Sequence, residues 1–412
     1  MTRLGMISAA AAFAALTLTA CDPEDVQTTA DVLEGAQLVI VSLGDSFASG
    51  EGNPDQPRTV VAPVAWNENP DFAPGFCHRS AINAHRMAVA RVTDAWTLSD
   101  EEIYANFACS GSSTQFGLRR SRRGNSTICN LPPPAAPPAP YCGQSQIEVA
   151  KAWAEDPANG VMRIDVVMVS IGINDLGFGG IIRACVTPKL NPFGPDCHED
   201  PGITDMLQHG CVDAQGDGDP SDLPAGCGGD FRSSYGGFDR LQGRVEREIR
   251  RIRDELNPKH IILIGYPDPT GDETGAFCAN HSENFVAGPD LLTGALVPGG
   301  VGVGWFRSGI GASTHEVTEG EAIFARNSVL VPLNQMLLAA AQAEGIEFVG
   351  GLEAATREHG VCSALPWFHG FRRSFELQDD AMGVLHPNAA GHQGMSFIIE
   401  DKLREVLGLP PA

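Results

Sequence analysis

The chain has 412 residues, 43% of them hydrophobic and 19% charged. That is enough apolar side chain to bury an enzyme-sized core, and too much polarity for a protein of many membrane spans. With 28 Lys and Arg against 51 Asp and Glu, the net charge of -23 repels phosphate backbones and anionic headgroups at long range, which disfavours nucleic acid as a partner.

The N-terminus opens with Arg3, runs apolar from Met6 to Leu18 and reaches Cys21 through small residues. A basic start, a short apolar run and small residues read as an export signal over residues 1–20, too short to span a bilayer comfortably. Leu18-Thr19-Ala20-Cys21 resembles the bacterial lipobox, whose cysteine is lipidated after cleavage. The protein is then expected to be exported and held at the cell envelope by a lipid on Cys21, its only membrane contact; an ordinary secretory signal that happens to contain a cysteine is the alternative. Residues 21–36 are acidic and poor in apolar side chains, which suits a flexible tether.

The folded body is expected from Gln37. Leu38-Val39-Ile40-Val41-Ser42-Leu43 is a buried parallel strand by composition, and similar runs recur at Ile103–Ala108, Ile164–Ile171, His260–Gly265 and Ile346–Gly350. Helical patterns lie between and after them, over Ser80–Val92, Ser145–Ala154, Phe238–Leu256, Asn327–Ala343 and Ala389–Leu407. Alternation of this kind predicts an α/β fold with a five-stranded parallel sheet covered on both faces, and a site at the carboxyl ends of the strands. Three stretches, near 119–142, 183–235 and 267–319, are rich in Pro, Gly or Asp and read as insertions into that one domain.

Removing Cys21 from the eleven cysteines leaves ten, an even number that suits disulfides in an oxidising compartment. Pairing by proximity joins Cys77 with Cys109, Cys129 with Cys142, Cys185 with Cys197, Cys211 with Cys227, and Cys278 with Cys362. Zinc is disfavoured because no Cys-x-x-Cys pair occurs. Asp213, Asp217, Asp219 and Asp222 lack the order of a calcium loop and read as a solvated loop. Arg119, Arg120, Arg122 and Arg123 could meet a phosphate or an acidic sugar, but a salt-bridged surface patch explains them better. His78, His281 and His369 have no metal-ligand spacing and read as structural. No metal or organic cofactor is expected, and a monomer is.

Chemistry is suggested at the strand ends. Gly44-Asp45-Ser46 follows the first strand, where glycine lets the chain turn and present a hydroxyl as a nucleophile, although a serine there can equally be a helix N-cap. Ala108-Cys109-Ser110-Gly111 follows the second, and Gly172-Ile173-Asn174-Asp175 the third, so a Gly111 backbone N–H and the Asn174 carboxamide could meet a developing oxyanion. His386-Pro387 precedes the final helix, where an imidazole could reach over the sheet edge as general base.

These four blocks, in this order, resemble those of the SGNH, or GDSL, hydrolases. Cys77-His78-Arg79-Ser80 and Asn174-Asp175-Leu176-Gly177-Phe178 are similar to the secreted, disulfide-containing lipase and esterase branch, which supports pairing Cys77 with Cys109. The resemblance implies a flavodoxin-like three-layer αβα sandwich and hydrolysis of a lipid or acylated-glycan ester through an acyl-enzyme. It implies Ser46 as nucleophile, His386 as base, and an oxyanion hole from the Ser46 and Gly111 N–H groups and the Asn174 side chain. One departure stands out: where many members carry an aspartate three residues before the histidine, this chain has Gly383. The imidazole would then be oriented by the Gly383 carbonyl, as a Ser-His dyad, or by Asp379 or Asp380. A polysaccharide acetyl esterase and a non-catalytic surface-binding lipoprotein of the same fold are the rival readings.

Overall fold

The computed structural model describes residues 38–55, 77–96, 102–121, 142–179, 181, 197–210, 237–279, 281–285, 313–378, 380 and 382–412. Cys21, Cys129, Cys185, Cys211, Cys227, Asp379, Arg122, Arg123 and the Asp213–Asp222 loop lie outside them, as does the side chain of Cys197.

Five strands form one parallel sheet: β1 (Leu38–Gly44), β2 (Glu102–Asn106), β3 (Val166–Ser170), β4 (His260–Ile264) and β7 (Glu347–Val349), in the order β2-β1-β3-β4-β7. All seven residues of β1 are buried, as expected for a strand with neighbours on both edges and helices on both faces. The helices around the sheet include α2 (Ala84–Trp96), α3 (Gln146–Glu155), α4 (Gly237–Leu256), α5 (Val331–Glu344) and α6 (Ala389–Leu407). Packing of α2 on α6, and of α3 and α5 on α4, completes an αβα sandwich. The pattern that makes α4 bury one face is plain in its residues: Leu241, Val245, Ile249, Ile252 and Leu256 are buried at helical spacing, with most of its arginines turned outward. Among the described residues no helix is long and apolar enough to cross a membrane.

Three boundaries differ from the sequence reading. Helix α2 starts at Ala84 rather than Ser80, because the Ser80 N–H donates to the Ser49 carbonyl and the Asn83 side chain caps the helix at the Arg86 N–H, 2.9 Å away. Ahead of α5 the helical path already begins at Glu319, where Thr318 and Glu321 form a capping box, and passes through a π-helical turn over Ala325–Leu330. An antiparallel pair, β5 (His281–Phe285) with β6 (Ser313–Val317), falls in the stretch read as an insertion. Its polar segments carry no strand signature, and pairing between segments so far apart in the chain leaves no local trace.

Of the proximity pairings, Cys77–Cys109 and Cys278–Cys362 are present as disulfides. Cys142 is disulfide-bonded as well.

The sheet edge that carries the site depends on close approach of β1 to β3. Gly44 pairs with Ser170, has φ 134°, and a Cβ on it would lie 2.1 Å from the Ser170 carbonyl oxygen. Gly44→Ala should therefore cost on the order of 2–5 kcal/mol, combining backbone strain with a clash against main chain that cannot withdraw. Gly179, with nothing within 4 Å of its Cβ position, serves as control. Urea denaturation should show a much lower midpoint for Gly44→Ala and little change for Gly179→Ala.

Candidate active site

Ser46 is the first residue of a four-residue helix, α1 (Ser46–Ser49), entered directly from β1. Asp45 caps it by accepting from the Phe47 N–H at 3.1 Å, and Gly50 ends it in the left-handed region at φ 98°. This short turn lifts the Ser46 hydroxyl to the sheet edge. There His386 Nε2 lies 2.7 Å from Ser46 Oγ, although 340 residues separate them in sequence. The other ring nitrogen, Nδ1, is 3.1 Å from the Val384 carbonyl. A carbonyl only accepts, so Nδ1 carries the proton and Nε2 presents its lone pair to the hydroxyl.

Among the described residues the Val384 carbonyl, rather than that of Gly383 or the Asp380 carboxylate, faces Nδ1. The Gly383 carbonyl accepts instead from the His386 backbone N–H at 3.0 Å, and Leu385, in the left-handed region at φ 59°, turns the chain so that the Val384 carbonyl faces the ring. Asp380 also points elsewhere: its Oδ1 accepts from Gln378 Nε2 and from the Met382 N–H, both at 2.7 Å. A Cβ at position 383 would lie 2.8 Å from Gln378 Oε1 and 3.0 Å from Ser374 Oγ, so a side chain there requires the Gln378 amide to move.

Ser46 and His386 are 4% and 6% exposed, close enough to the surface for a substrate to reach and dry enough to strengthen their hydrogen bond. Phe47 and Phe178 pack on the imidazole, with ring centroids 5.1 and 6.2 Å away. Burial pushes the His386 pKa below its ordinary value, against the opposing pull of Glu51 and the Val384 carbonyl.

The three expected oxyanion donors sit at the ends of β1, β2 and β3. Among the described residues neither the Ser46 nor the Gly111 N–H donates to another group. Asn174 donates one amide hydrogen to the Ser112 carbonyl at 2.9 Å, which orients the carboxamide and leaves its second hydrogen for a ligand. The Cys77–Cys109 disulfide holds the loop carrying Gly111, and the Ser110 N–H donates to the Cys77 carbonyl at 3.0 Å.

Several residues that brace this edge escaped the sequence reading. Gln146 accepts from the Gly44 N–H at 2.7 Å and donates to the Gly44 carbonyl and Ser112 Oγ, tying two of the loops together. Tyr266 donates to Asp45 Oδ2 at 2.5 Å while accepting from the Ile173 N–H at 3.3 Å, linking the nucleophile turn to the residue before Asn174. Burial drives the Asp45 carboxyl up to about 7. Asp175 accepts from the Thr114 N–H at 2.9 Å and its hydroxyl at 2.5 Å. The structure shows a capping box at Ser145-Gln146-Ile147-Glu148, whose local spacing marks a helix start and carries no sign of the long-range clamp. His369 and His78 are engaged by protein groups: His369 Nε2 donates to the Gly52 carbonyl at 2.7 Å, and His78 Nδ1 bonds the Glu51 carboxylate at 2.9 Å. Among the described residues no group of three or more His, Cys, Asp or Glu side chains could hold a metal ion.

No curated protein matches the chain in sequence. Among solved structures it is similar to phospholipase A1 from Streptomyces albidoflavus, at 17% identity over 89% of this chain and 98% of that one, with a TM-score of 0.45. It is also similar to an extracellular lipase from Streptomyces rimosus, at 15% identity over 88% and 98%, with a TM-score of 0.44. A third is a carbohydrate esterase family 2 enzyme with a carbohydrate binding domain from Corynascus thermopiles, at 13% identity over 90% and 67%, with a TM-score of 0.36. The family model for the GDSL-like lipase/acylhydrolase family matches residues 42–393, and by that match the chain belongs to this family and is a carboxylic ester hydrolase.

Proposed function

We propose that the protein is an exported serine esterase or lipase that acts through an acyl-enzyme on Ser46, with His386 as general base. The observation that carries this reading is the 2.7 Å contact between Ser46 Oγ and an imidazole whose other nitrogen is fixed on a backbone carbonyl. Ser46 Oγ attacks the ester carbonyl carbon as its proton passes to His386 Nε2. The tetrahedral oxyanion is received by the Ser46 and Gly111 N–H groups and the Asn174 amide. As the C–O bond to the alcohol breaks, the Nε2 proton moves to the departing oxygen. Water, giving its proton to Nε2, then attacks the Ser46 ester, and as the bond to Oγ breaks that proton returns to Ser46 Oγ and the acid is released. The Val384 carbonyl keeps the ring in the productive tautomer throughout, so the pair works as a dyad.

Export and a lipid on Cys21 complete the proposal. They are supported by the basic, apolar and small-residue order of residues 1–20 and by disulfides of a kind that persist in oxidising compartments.

A fluorophosphonate probe should label the wild type and fail to label Ser46→Ala; labelling that is absent from the wild type or survives in the variant would overturn the mechanism. Asn174→Ala should lower kcat by roughly 100- to 1000-fold on an activated ester. Asp380→Asn should retain most activity, whereas a loss approaching ten-thousandfold would identify it as a third member. Because catalysis needs neutral His386, kcat/KM should rise with pH through a midpoint below the ordinary imidazole value of 6.5. In cells fed a labelled fatty acid, Cys21→Ala should lose both the label and retention in the membrane fraction.

A further inference from the structure

Among the described residues no carboxylate bonds His386 Nδ1, yet a buried one, Glu51, lies in the turn that packs on the base. Glu51 is 0% exposed and sits in the turn that leaves the nucleophile, its N–H donating to the Ser46 carbonyl at 3.0 Å. The next residue packs on the base: a Cβ on Gly52 would lie 3.2 Å from the His386 Cβ and 2.6 Å from the Pro387 carbonyl. Four separate segments hold this pair of residues. His369 Nε2 donates to the Gly52 carbonyl at 2.7 Å, and His392 Nε2 lies 3.4 Å from the Glu51 carbonyl. Gln378 Nε2 donates to Glu51 Oε1 at 2.6 Å, and His78 Nδ1 contacts both carboxylate oxygens at 2.9 and 3.0 Å, with the Ser110 hydroxyl also facing the carboxylate.

A carboxylate at this depth would take up a proton if left alone. Burial does push the Glu51 carboxyl upward, but His78 outweighs it with the help of the other donors and keeps the group ionised. Its charge reaches His386, whose protonated form it favours. The other titratable groups here are His78, which opposes Glu51 at His386; Asp380, hydrogen-bonded to the same Gln378; His392, kept neutral by burial; and His369.

Resting on the Ser46–His386 mechanism, we propose that Glu51 is the positioning carboxylate of the base. It acts through its charge rather than through a hydrogen bond to Nδ1, and that charge stabilises the imidazolium formed during acyl transfer. The charge that a side chain at position 383 does not supply comes instead from a residue of the nucleophile's own turn.

The test is the acidic limb of the kcat/KM profile in three variants. Glu51→Gln keeps the shape and removes the charge, so imidazolium becomes less stable: the limb should move down by about one pH unit and kcat should fall roughly tenfold. His78→Gln removes the group that keeps Glu51 ionised, so its limb should move down as well. Glu51→Asp keeps the charge and should hold the limb near its wild-type position. A limb that falls in Glu51→Gln and is restored in Glu51→Asp supports the proposal, because a merely structural role would not follow the charge. A limb that stays put in Glu51→Gln, or falls equally in Glu51→Asp, overturns it. If Glu51→Gln does not fold, His78→Gln decides alone, an unmoved or raised limb being the overturning result. Ser46→Ala separates the two levels: turnover that survives it sinks the dyad itself, whereas Ser46-dependent turnover with unmoved limbs sinks only the assignment of Glu51.

Discussion

Everything at the catalytic edge depends on how closely β1 and β3 approach where they end. The Gly44 backbone lies against the Ser170 carbonyl with no space for a side chain, and the Asp45 N–H donates to that same carbonyl at 2.9 Å. Two strand ends locked at this distance put the Ser46 turn and the Asn174 turn side by side. Gln146 and Tyr266 then fasten both turns to neighbouring elements through buried hydrogen bonds, whose loss would leave partners stranded in a dry environment. Rigid elements thus hold the Ser46 and Asn174 turns, as a site needing sub-ångström placement would require.

The histidine loop solves a different problem. An imidazole needs an acceptor on one nitrogen if the other is to act as a base, and here a main-chain carbonyl supplies it. That solution uses a left-handed non-glycine residue, Leu385, a conformation that persists only where surrounding bonds over-determine it. The bonds are present: the Leu385 N–H donates to the His369 carbonyl at 2.8 Å, and the His369 N–H to the His386 carbonyl at 3.1 Å. The Cys278–Cys362 disulfide ties the segment after β4 to the stretch that leads to His369, closing 84 residues of chain. Cys77–Cys109 does the same on the oxyanion side over 32 residues, so each half of the site is flanked by a cross-link that limits its unfolded alternatives.

A carbonyl orients the ring but brings only a partial charge. Polar and titratable groups from other segments form a largely buried cluster in which His78, Glu51, Gln378 and Asp380 are hydrogen-bonded in series. Charge in the interior is tolerated only when paired in this way. Division of labour between an orienting dipole and a more distant charge separates two tasks that a single triad aspartate performs together.

The sequence by itself determined the periodic and the punctuated parts of this protein: the apolar runs of β1, β3 and β4, the amphipathic face of α4, the turns at Gly44 and Gly172, and the placing of the candidate residues Ser46, Asn174 and His386 after strands or before the last helix. Those follow from side-chain period and from backbone conformations that only certain residues accept, both local properties. Tertiary structure alone decided that Val384 rather than Gly383 faces the imidazole, since a one-residue difference in a turn depends on the φ of Leu385 and on contacts with the His369 segment. It also decided that position 383 packs against the Gln378 and Ser374 side chains, that β5 pairs with β6, and that Glu51, His78, Gln146 and Tyr266 converge on the site. Hydrogen bonds between residues tens to hundreds of positions apart arise from packing of the whole chain, and no short window of sequence encodes them.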